Sequence, residues 1–382
     1  MDRYQKIALL SENMDAEEGE SPQTCELLET KKQTMNPLVT YARLPGGGNI
    51  PLLKTMITSV CERNCNYCAF RSGRDFRRAS FKPEEMADTF QEFYQKNIAK
   101  GLFLSSGIAG GGIHIQDKII QTAEILRIKN KFQGYMHLKI MPGAEYDQIK
   151  ALMMYADRVS INLEAPNPDR LKDLAPKKNF LDELFTRLKW VDEIRRREEP
   201  VNVWKNRWPS VSTQFVVGPS GESDLEILKT SEYLFKRLNL ARVYFMTFNP
   251  VKDTPFENTE SENPIRGHRL YQASFLIRDY GFSLEDLAFL NTGRLSLTED
   301  PKTAWAETHF LDYPVELNTA DRETLLRIPG IGPKRVKMIL KYRRIKTIRD
   351  ADQLISLGIP VEKVNRFILL DGSRPAYQLR LL

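Results

Sequence analysis

The sequence predicts an α/β protein with an open (β/α)6 partial TIM barrel, followed by a small all-α C-terminal domain. Three observations support this fold class. Short β-rich runs alternate with longer amphipathic runs from residue 50 onward. Six such pairs fit an open barrel and fall short of the eight pairs in a full TIM barrel. From residue 315 the pattern becomes helical only.

The predicted strands are near-continuous apolar runs of strand length, as expected for strands buried on both faces. They are 54–60, 101–106, 135–140, 158–164, 211–217 and 242–248. Each run is followed by a helical pattern, so the strands should be parallel with right-handed crossovers. Chemistry in such folds is expected at the carboxyl ends of the strands.

The predicted helices show apolar residues at helical spacing, and the first has a strong start signal. Pro83 followed by two glutamates is typical of a helix N-terminus. The six helices are 83–97, 116–130, 144–156, 180–199, 222–238 and 266–280. The expected domains are an N-terminal extension at 1–49, the barrel at 50–290, a linker at 291–314 and the C-terminal module at 315–382.

Composition and charge place the chain among soluble proteins. The sequence contains no run of 18 apolar residues, so we expect no transmembrane helix. The acidic N-terminus lacks the apolar core of a signal peptide. We therefore expect a cytoplasmic protein without a membrane partner. Four cysteines in 382 residues make no disulfide framework, and clustered thiols in a reducing compartment favour metal binding or redox work.

Three of the four cysteines follow the first predicted strand in the stretch SVCERNCNYCAF. Cys61, Cys65 and Cys68 are spaced C-x3-C-x2-C. Three thiolates on one loop can each bind one iron of a cubane cluster and leave the fourth iron open. Zinc is the alternative, but structural zinc normally takes four ligands, and the loop contains neither a second cysteine pair nor a histidine.

The C-x3-C-x2-C motif, with Tyr67 just before its last cysteine, resembles the signature of the radical S-adenosylmethionine (radical SAM) enzymes. The resemblance implies a 4Fe-4S cluster on the three cysteines and S-adenosyl-L-methionine chelated to the open iron. One electron would then cleave the sulfonium to a 5′-deoxyadenosyl radical. The protein would supply placement and exclude water.

Further stretches carry the same resemblance and imply cofactor contacts along the chain. Ser105-Ser106-Gly107 resembles the glycine-rich turn that meets the amino group, although its usual acidic residue is absent, and a plain turn is the alternative. The fourth predicted strand places Ser160, Asn162 and Glu164 on one face by alternation. Asn162 and Glu164 are similar to the ribose-binding pair of biotin-synthase-like members. The SAM contacts implied in this way are Tyr67, Ser105, Ser106, Gly107, Ser160, Asn162, Glu164, Val217 and Gly218.

Three other features have two interpretations each. His137 and Lys139 share one side of the third predicted strand. They are either a structural pair or residues that contact the cofactor carboxylate or the substrate. The basic and aromatic segment 195–208 is either a solvated loop or a lip facing the substrate. Cys25 is either an ordinary buried thiol or a hydrogen-atom donor near the site.

The C-terminal module contains the turn Pro329-Gly330-Ile331-Gly332 between two helical patterns. We expect Asn318 or Thr319 to cap the first helix near residue 320, and Pro333 to start the second. Such a turn presents backbone N–H groups to an anion. It resembles the helix-hairpin-helix module, which grips nucleic-acid backbones. The implied contacts are Gly330, Ile331, Gly332, Lys334 and Arg335.

The basic stretch 333–349 has eight Lys or Arg and no acid, which supports DNA or RNA as the partner. The whole pattern resembles a bacterial family of radical SAM proteins assigned to DNA modification or repair. The predicted function is radical chemistry on a nucleic acid, with an electron donor such as flavodoxin or ferredoxin. One alternative is a biotin-synthase-like enzyme on a small molecule with the module as scaffold. Another is a non-catalytic nucleic-acid-binding protein whose cluster serves sensing or stability.

Overall fold

The computed structural model describes residues 1–11, 14, 39–43 and 49–375. Cys25 lies outside the described residues, as do the other remaining positions. Two compact units divide the chain: one comprises Met1–Glu222 and Tyr233–His268, the other Ser223–Glu232 and Arg269–Leu382. The domain boundaries expected from the sequence stay a prediction.

A curled seven-stranded sheet forms the first unit, with its strands in sequence order. β1 runs antiparallel to β2, and every later neighbour pair is parallel. This arrangement confirms the predicted fold class, with β1 as an additional strand. The strands are β1 Val39–Arg43, β2 Asn49–Met56, β3 Gly101–Ser105, β4 Tyr135–Lys139, β5 Arg158–Ser160, β6 Ser210–Val217 and β7 Arg242–Thr247.

Helices connect the parallel strands, as the alternation predicts. Side chains of β3 are buried along its whole length, which agrees with a strand covered on both faces. The helices through this part of the chain are α1 Arg3–Ser11, α2 Pro83–Gln95, α3 Gly112–Glu124, α4 Tyr146–Tyr155, α5 Pro168–Leu174, α6 Thr186–Arg197, α7 Asp224–Leu238 and α8 Pro264–Asp279. Short π-helical turns extend α3 at Ile125–Lys129 and precede α6 at Phe180–Phe185.

Two predicted strands end early, and both ends matter for the site. β2 ends at Met56, so the cysteine loop begins before the predicted boundary at residue 60. β5 ends at Ser160, and Glu164 has a left-handed backbone with φ of 65°. The polar row at 160, 162 and 164 is therefore not a continuous strand face, because regular alternation stops at Ser160.

The segment 195–208 packs at the amino end of the parallel strands. Asp157, directly before β5, accepts hydrogen bonds from Trp204 Nε1 at 3.3 Å and from Lys205 Nζ at 2.6 Å. The Arg127 guanidinium lies 3.8 Å from the Trp204 ring centroid and pairs with Asp157 at 2.9 Å. These contacts lie at the end opposite the cysteine loop, so the interpretation as a substrate-facing lip does not hold.

The second unit contains the C-terminal helices and a small parallel pair of strands, β8 Val315–Glu316 and β9 Ile368–Leu369. Asp321 caps α10 by accepting from the Thr324 N–H at 2.7 Å. The predicted caps were wrong: the Asn318 side chain instead bonds the backbone of Ile348. The helices are α9 Pro301–Phe310, α10 Arg322–Arg327, α11 Pro333–Tyr342, α12 Ala351–Ser356 and α13 Val361–Val364. Across the described ranges, no helix has the length and apolarity needed to cross a membrane.

Candidate functional site

The cysteine loop leaves the carboxyl end of β2 and is tied to its neighbours by backbone hydrogen bonds. The Ile57 N–H donates to Ser105 O at 2.9 Å, and the Glu62 N–H donates to Ile108 O at 2.7 Å. On the other side, the Asn66 N–H donates to Leu174 O at 2.7 Å. The loop therefore has a fixed path along the edge of the barrel, between the ends of β3 and α5.

All three predicted cysteine ligands line one cavity of about 120 Å³. Cys61 Sγ accepts from the Ile108 N–H at 3.5 Å, and Cys68 Sγ accepts from the Phe70 N–H at 3.4 Å. Burial raises the pKa of both the Cys65 and the Cys68 thiols. Backbone N–H donors of this kind stabilise sulfur that carries negative charge, as thiolate ligands do.

The donor set fits a cluster better than a single ion. Within the described parts of the chain, no three His, Cys, Asp or Glu side chains converge on a site for one metal ion. A cubane cluster does not need such convergence, because each thiolate binds its own iron.

The predicted glycine-rich turn also reaches this cavity. Ser105, Ser106 and Gly107 line it, directly after β3. A Cβ at residue 107 would lie 2.4 Å from the carbonyl oxygen of Val60, so only glycine allows the turn to approach the cysteine loop so closely. The Ser106 Oγ is buried and has no hydrogen-bond partner among the described residues. This leaves a hydroxyl that can bond a ligand.

Asn162 and Glu164 face the same cavity from beyond the end of β5. Lys139 Nζ donates to Asn162 Oδ1, so Lys139 belongs to the cavity wall. His137 instead bonds Ser160 Oγ at 2.8 Å through Nε2, below the cavity. The two basic residues of β4 therefore have different surroundings, although they share one side of the strand.

Glu164 forms a buried ion pair with Lys178, which the sequence analysis did not select. Glu164 Oε1 and Lys178 Nζ are 2.8 Å apart, and their side chains are 5% and 10% exposed. Burial by itself would lower the pKa of Lys178, but Cys65 and Glu164 raise it above its ordinary value. Burial and the nearby Glu164 carboxylate raise the pKa of Tyr67. The Glu164 Oε2 is buried and lacks a hydrogen-bond partner in the described structure.

The cavity collects most of the predicted cofactor contacts. Those that line it are Cys61, Cys65, Tyr67, Cys68, Ser105, Ser106, Gly107, Asn162 and Glu164. Three predicted contacts lie elsewhere. Ser160 bonds His137, Val217 is buried at the end of β6, and the Gly218 N–H donates to Glu222 Oε1 at 2.6 Å. The SAM contacts remain predictions for all of these residues.

The sequence analysis did not select several residues of the cavity wall, among them Met14, Arg63, Lys178 and Gln214. Gln214 gave a usable signal, since it is a polar residue in the middle of the apolar run of β6 and is buried. Lys178 gave none, because its proximity to the cysteine loop depends on the path of the α5–α6 connection.

The C-terminal hairpin has the geometry expected from its glycines. Gly330 has φ of 78°, and the Ile331 N–H donates to Ile328 O at 3.1 Å to close the turn. α11 begins at Pro333 without a side-chain cap, so the N–H groups of Lys334 and Arg335 remain available to an anion. Lys302 Nζ donates to Ile331 O at 2.6 Å from within the same unit.

The basic residues beside the hairpin divide into two groups. Arg335 donates to the carbonyls of Gly330 and Gly358, and Arg343 donates to Leu317 and Ala320, so both guanidinium groups brace the module. The other group consists of exposed side chains that make no hydrogen bond or ion pair with the described residues. Its members are Lys334, Lys337, Lys341, Arg344 and Lys346.

Comparisons with known proteins match two parts of the chain. Residues 55–234 match the radical SAM superfamily, and residues 315–342 match the helix-hairpin-helix motif. The first match contains the three cysteines and Glu164, and the second contains the hairpin.

Among curated proteins, the chain is 27% identical over 212 residues to an uncharacterized protein of Methanocaldococcus jannaschii, covering 53% of this chain and 50% of that protein. It is 25% identical over 140 residues to a lipoyl synthase of Symbiobacterium thermophilum, covering 37% of this chain and 42% of that protein. The chain thus spans half or less of these relatives.

A solved radical SAM methyltransferase from Sphaerobacter thermophilus matches with a TM-score of 0.45 and 16% identity, covering 72% of this chain and 85% of that one. The enzymes of the superfamily use a 4Fe-4S cluster and S-adenosylmethionine. The chain contains a radical SAM domain at residues 55–234 and a C-terminal helix-hairpin-helix motif at residues 315–342.

Proposed function

We propose that this chain is a radical SAM enzyme and that it acts on a nucleic acid, in DNA modification or repair. The observation that carries the proposal is the hairpin at 329–332 with five exposed, unpaired cations at 334–346, in the same chain as the cysteine cavity. A hairpin with free N–H groups and unpaired Lys and Arg side chains suits a phosphodiester backbone, because binding releases counterions from the nucleic acid.

The cofactors are proposed to bind in the cysteine cavity. Cys61, Cys65 and Cys68 would hold the cluster, and the unpartnered Glu164 Oε2 would accept from ribose hydroxyls, with Asn162 beside it. Ser106 Oγ would bond the methionine part. When bound, the cluster and S-adenosylmethionine supply the 5′-deoxyadenosyl radical. The buried walls around these residues exclude water, which protects a reactive species from quenching.

Lys178 has a separate task in this arrangement. Its ammonium group lies against Glu164 and in the electrostatic field of Cys65 and Cys68. Thiolate ligands and a carboxylate would otherwise place several negative charges in one desolvated cavity. We assign Lys178 the role of neutralising part of that charge and of holding Glu164 in its position.

The first test addresses the radical chemistry. Anaerobic reconstitution with iron and sulfide should give a brown protein that forms 5′-deoxyadenosine under dithionite. Cys65→Ala should lose both the colour and the product, whereas Cys25→Ala, the cysteine outside the loop, should keep the cluster. Equal product from wild type and Cys65→Ala would refute the site. A spectroscopic shift on adding S-adenosylmethionine would exclude a cluster with all iron positions blocked.

The second test addresses the nucleic acid. Binding of labelled DNA should weaken steeply with salt, and Lys334→Ala and Lys337→Ala should each reduce the slope of log K against log salt by about one. Lys172→Ala provides the control, because Lys172 is an exposed lysine of the other unit. Changes at Gly330 and Gly332 should also weaken binding. Absence of affinity for DNA and RNA at low salt would remove the nucleic-acid substrate and support the small-molecule alternative.

The electron donor is proposed to be a flavodoxin or ferredoxin, because the cluster must receive single electrons. Replacement of dithionite by reduced flavodoxin should sustain formation of 5′-deoxyadenosine in the wild-type enzyme. Activity with dithionite and none with either carrier would contradict this choice of donor.

A further inference from the structure

A second cavity, which we call the hairpin groove, lies in the C-terminal unit and has a volume of about 780 Å³. Its walls are the hairpin 329–332, the end of α8, the start of α9 and the start of α13. The volume falls within the range of roughly 300–1,000 Å³ that is common for small-molecule sites. The hairpin therefore forms the wall of a concave site in addition to presenting its N–H groups to solvent.

The charge of the hairpin groove favours an anion. Four basic residues and two acidic residues line it among the described positions: Lys302, Arg335, Lys363 and Arg366 against Asp300 and Glu362. Arg366 is paired with Glu307 at 2.9 Å, and Lys302 is buried and donates to Ile331 O, so Arg335 and Lys363 are the cations that an anion in the groove would meet. The Asp300 carboxylate is already engaged, because Oδ1 accepts from the first N–H groups of α9. Lys363 is exposed, and its side chain makes no ion pair or hydrogen bond with the described residues.

Arg335 contributes a cation whose position is fixed. Its guanidinium donates to Gly330 O at 2.6 Å and to Gly358 O at 2.7 Å, and both acceptors are neutral carbonyls. The positive charge therefore remains uncompensated by an acid, while its place at the rim of the groove is set. A fixed guanidinium of this kind is well suited to a phosphate.

Aromatic rings form the apolar part of the same groove. Tyr280 is half-buried at the end of α8, with its hydroxyl beside Gly332: a Cβ at that glycine would lie 2.9 Å from the Tyr280 oxygen. Lys302 Nζ lies over the ring of Tyr280, 4.7 Å from its centroid. Phe275, one turn earlier in α8, is also half-buried in the groove wall. Aromatic rings next to cations are the elements on which unpaired bases stack.

Together, these features suit an unpaired nucleotide and not a base pair. A base within a duplex stacks on its neighbours and cannot present its face to Tyr280, whereas an unpaired base can enter a concave site. We propose that the hairpin groove binds one unpaired nucleotide of a single strand or gap, with its base on Tyr280 and its phosphate near Arg335 and Lys363. This inference rests on the proposed function and narrows its substrate to nucleic acid with unpaired positions.

The experiment compares two probes on the full-length protein by fluorescence anisotropy: labelled oligothymidylate and a blunt duplex of equal length. Tyr280→Leu should weaken single-strand binding by about 5- to 100-fold, the range expected for loss of one base–aromatic stack. Tyr280→Phe keeps the ring and should bind like wild type. Lys363→Ala should weaken the single strand and change duplex affinity less than about twofold.

Lys337→Ala is the matched control, because Lys337 is an exposed, unpaired lysine of α11 that does not line the groove. This variant should lower the affinity for the single strand and for the duplex equally. A 2-aminopurine placed in the oligothymidylate should lose fluorescence on binding to wild type and not on binding to Tyr280→Leu, which reports stacking directly.

The possible results separate the two hypotheses. Unchanged single-strand affinity in both Tyr280→Leu and Lys363→Ala, with duplex binding intact, overturns the groove assignment and leaves the nucleic-acid function standing. Absence of binding to either probe at low salt overturns both. If Tyr280→Leu does not fold, Lys363→Ala and the 2-aminopurine signal of the wild type decide the matter.

Discussion

The ion pair between Glu164 and Lys178 permits a quantitative test of how the cofactor cavity is held. Lys178→Met keeps the length of the side chain and removes its charge. The Glu164 carboxylate would then remain buried without a cation, with Oε2 already lacking a partner. Breaking one side of a buried pair typically costs about 3–5 kcal/mol, because the remaining charge is uncompensated. We expect a loss of this size in the free energy of unfolding.

The assay is urea unfolding of the cluster-free protein, followed by circular dichroism. Lys172→Met is the matched control: its pair with Asp169 spans 3.6 Å, and the side chains are 76% and 91% exposed. An exposed pair contributes about 0–1 kcal/mol, so this variant should unfold almost like wild type. The double variant Lys178→Met/Glu164→Gln should recover part of the lost stability, because no charge is then left alone.

Iron content after reconstitution gives a second readout for the same variants. Lys178→Met should retain less cluster per folded protein than Lys172→Met, because the cation beside Cys65 is gone. If Lys178→Met costs no more stability than Lys172→Met, the buried pair does not hold Glu164, and the reasoning is refuted. Equal stability of the single and double variants would lead to the same conclusion.

Three further predictions concern stability at other places in the fold. Burial lowers the pKa of Lys302 to about 7 from 10.5. Between pH 7 and pH 10.5 the unfolded chain therefore binds more protons than the folded one, so the free energy of unfolding rises with pH. Between about pH 7 and pH 9 it should rise by about 2 kcal/mol more in wild type than in Lys302→Met. If the urea midpoints of wild type and Lys302→Met change with pH in the same way, this prediction is contradicted. Gly330→Ala should cost more than Gly358→Ala: both glycines have positive φ, of 78° and 66°, but only Gly330 has neighbours within 4 Å of an added Cβ. If both variants lower the temperature of thermal unfolding equally, the neighbours of an added Cβ at residue 330 do not affect stability. Asp157→Asn leaves Arg127 without its buried counterion and should cost about 3–5 kcal/mol, while iron content per folded protein stays normal. A lowered iron content would show that this end of the barrel is coupled to the cysteine loop.

The sequence predicted those parts of the site that depend on local spacing. The cysteines at 61, 65 and 68 and the turn at 330–332 each lie within a few residues, so their geometry follows from one loop. The alternation of strands and helices was sufficient to predict the parallel sheet, because each β-α pair is a local unit. The antiparallel β1 was missed, since nothing in the residues before 49 indicated a partner strand.

The remaining site residues depend on contacts between distant segments. Lys178 reaches the cavity because the connection after α5 is hydrogen-bonded to the cysteine loop through Lys177, and no periodicity in the sequence indicates such a contact. Val217 follows the expected strand-then-glycine pattern, yet its side chain is buried and does not line the cavity, because the register of β6 decides which residues face the cavity. Asp321 displaced the predicted caps of α10, since Asn318 has a more favourable use in joining the α11–α12 connection.

Two features of Glu164 lower the stability of the fold, so its position is not explained by stability. It adopts φ of 65°, a conformation that costs a non-glycine residue about 1–3 kcal/mol, and it buries a carboxylate oxygen without a partner. Its backbone is held on both sides, by the Glu164 N–H to Gln214 O at 3.0 Å and by the Val216 N–H to Glu164 O at 2.7 Å. Lys178 then fixes one carboxylate oxygen and leaves the other facing the cavity. A position that is held so firmly in an unfavourable conformation is better explained by a ligand than by packing. Replacement by glutamine should therefore lower the affinity for S-adenosylmethionine more than it lowers the stability of the fold.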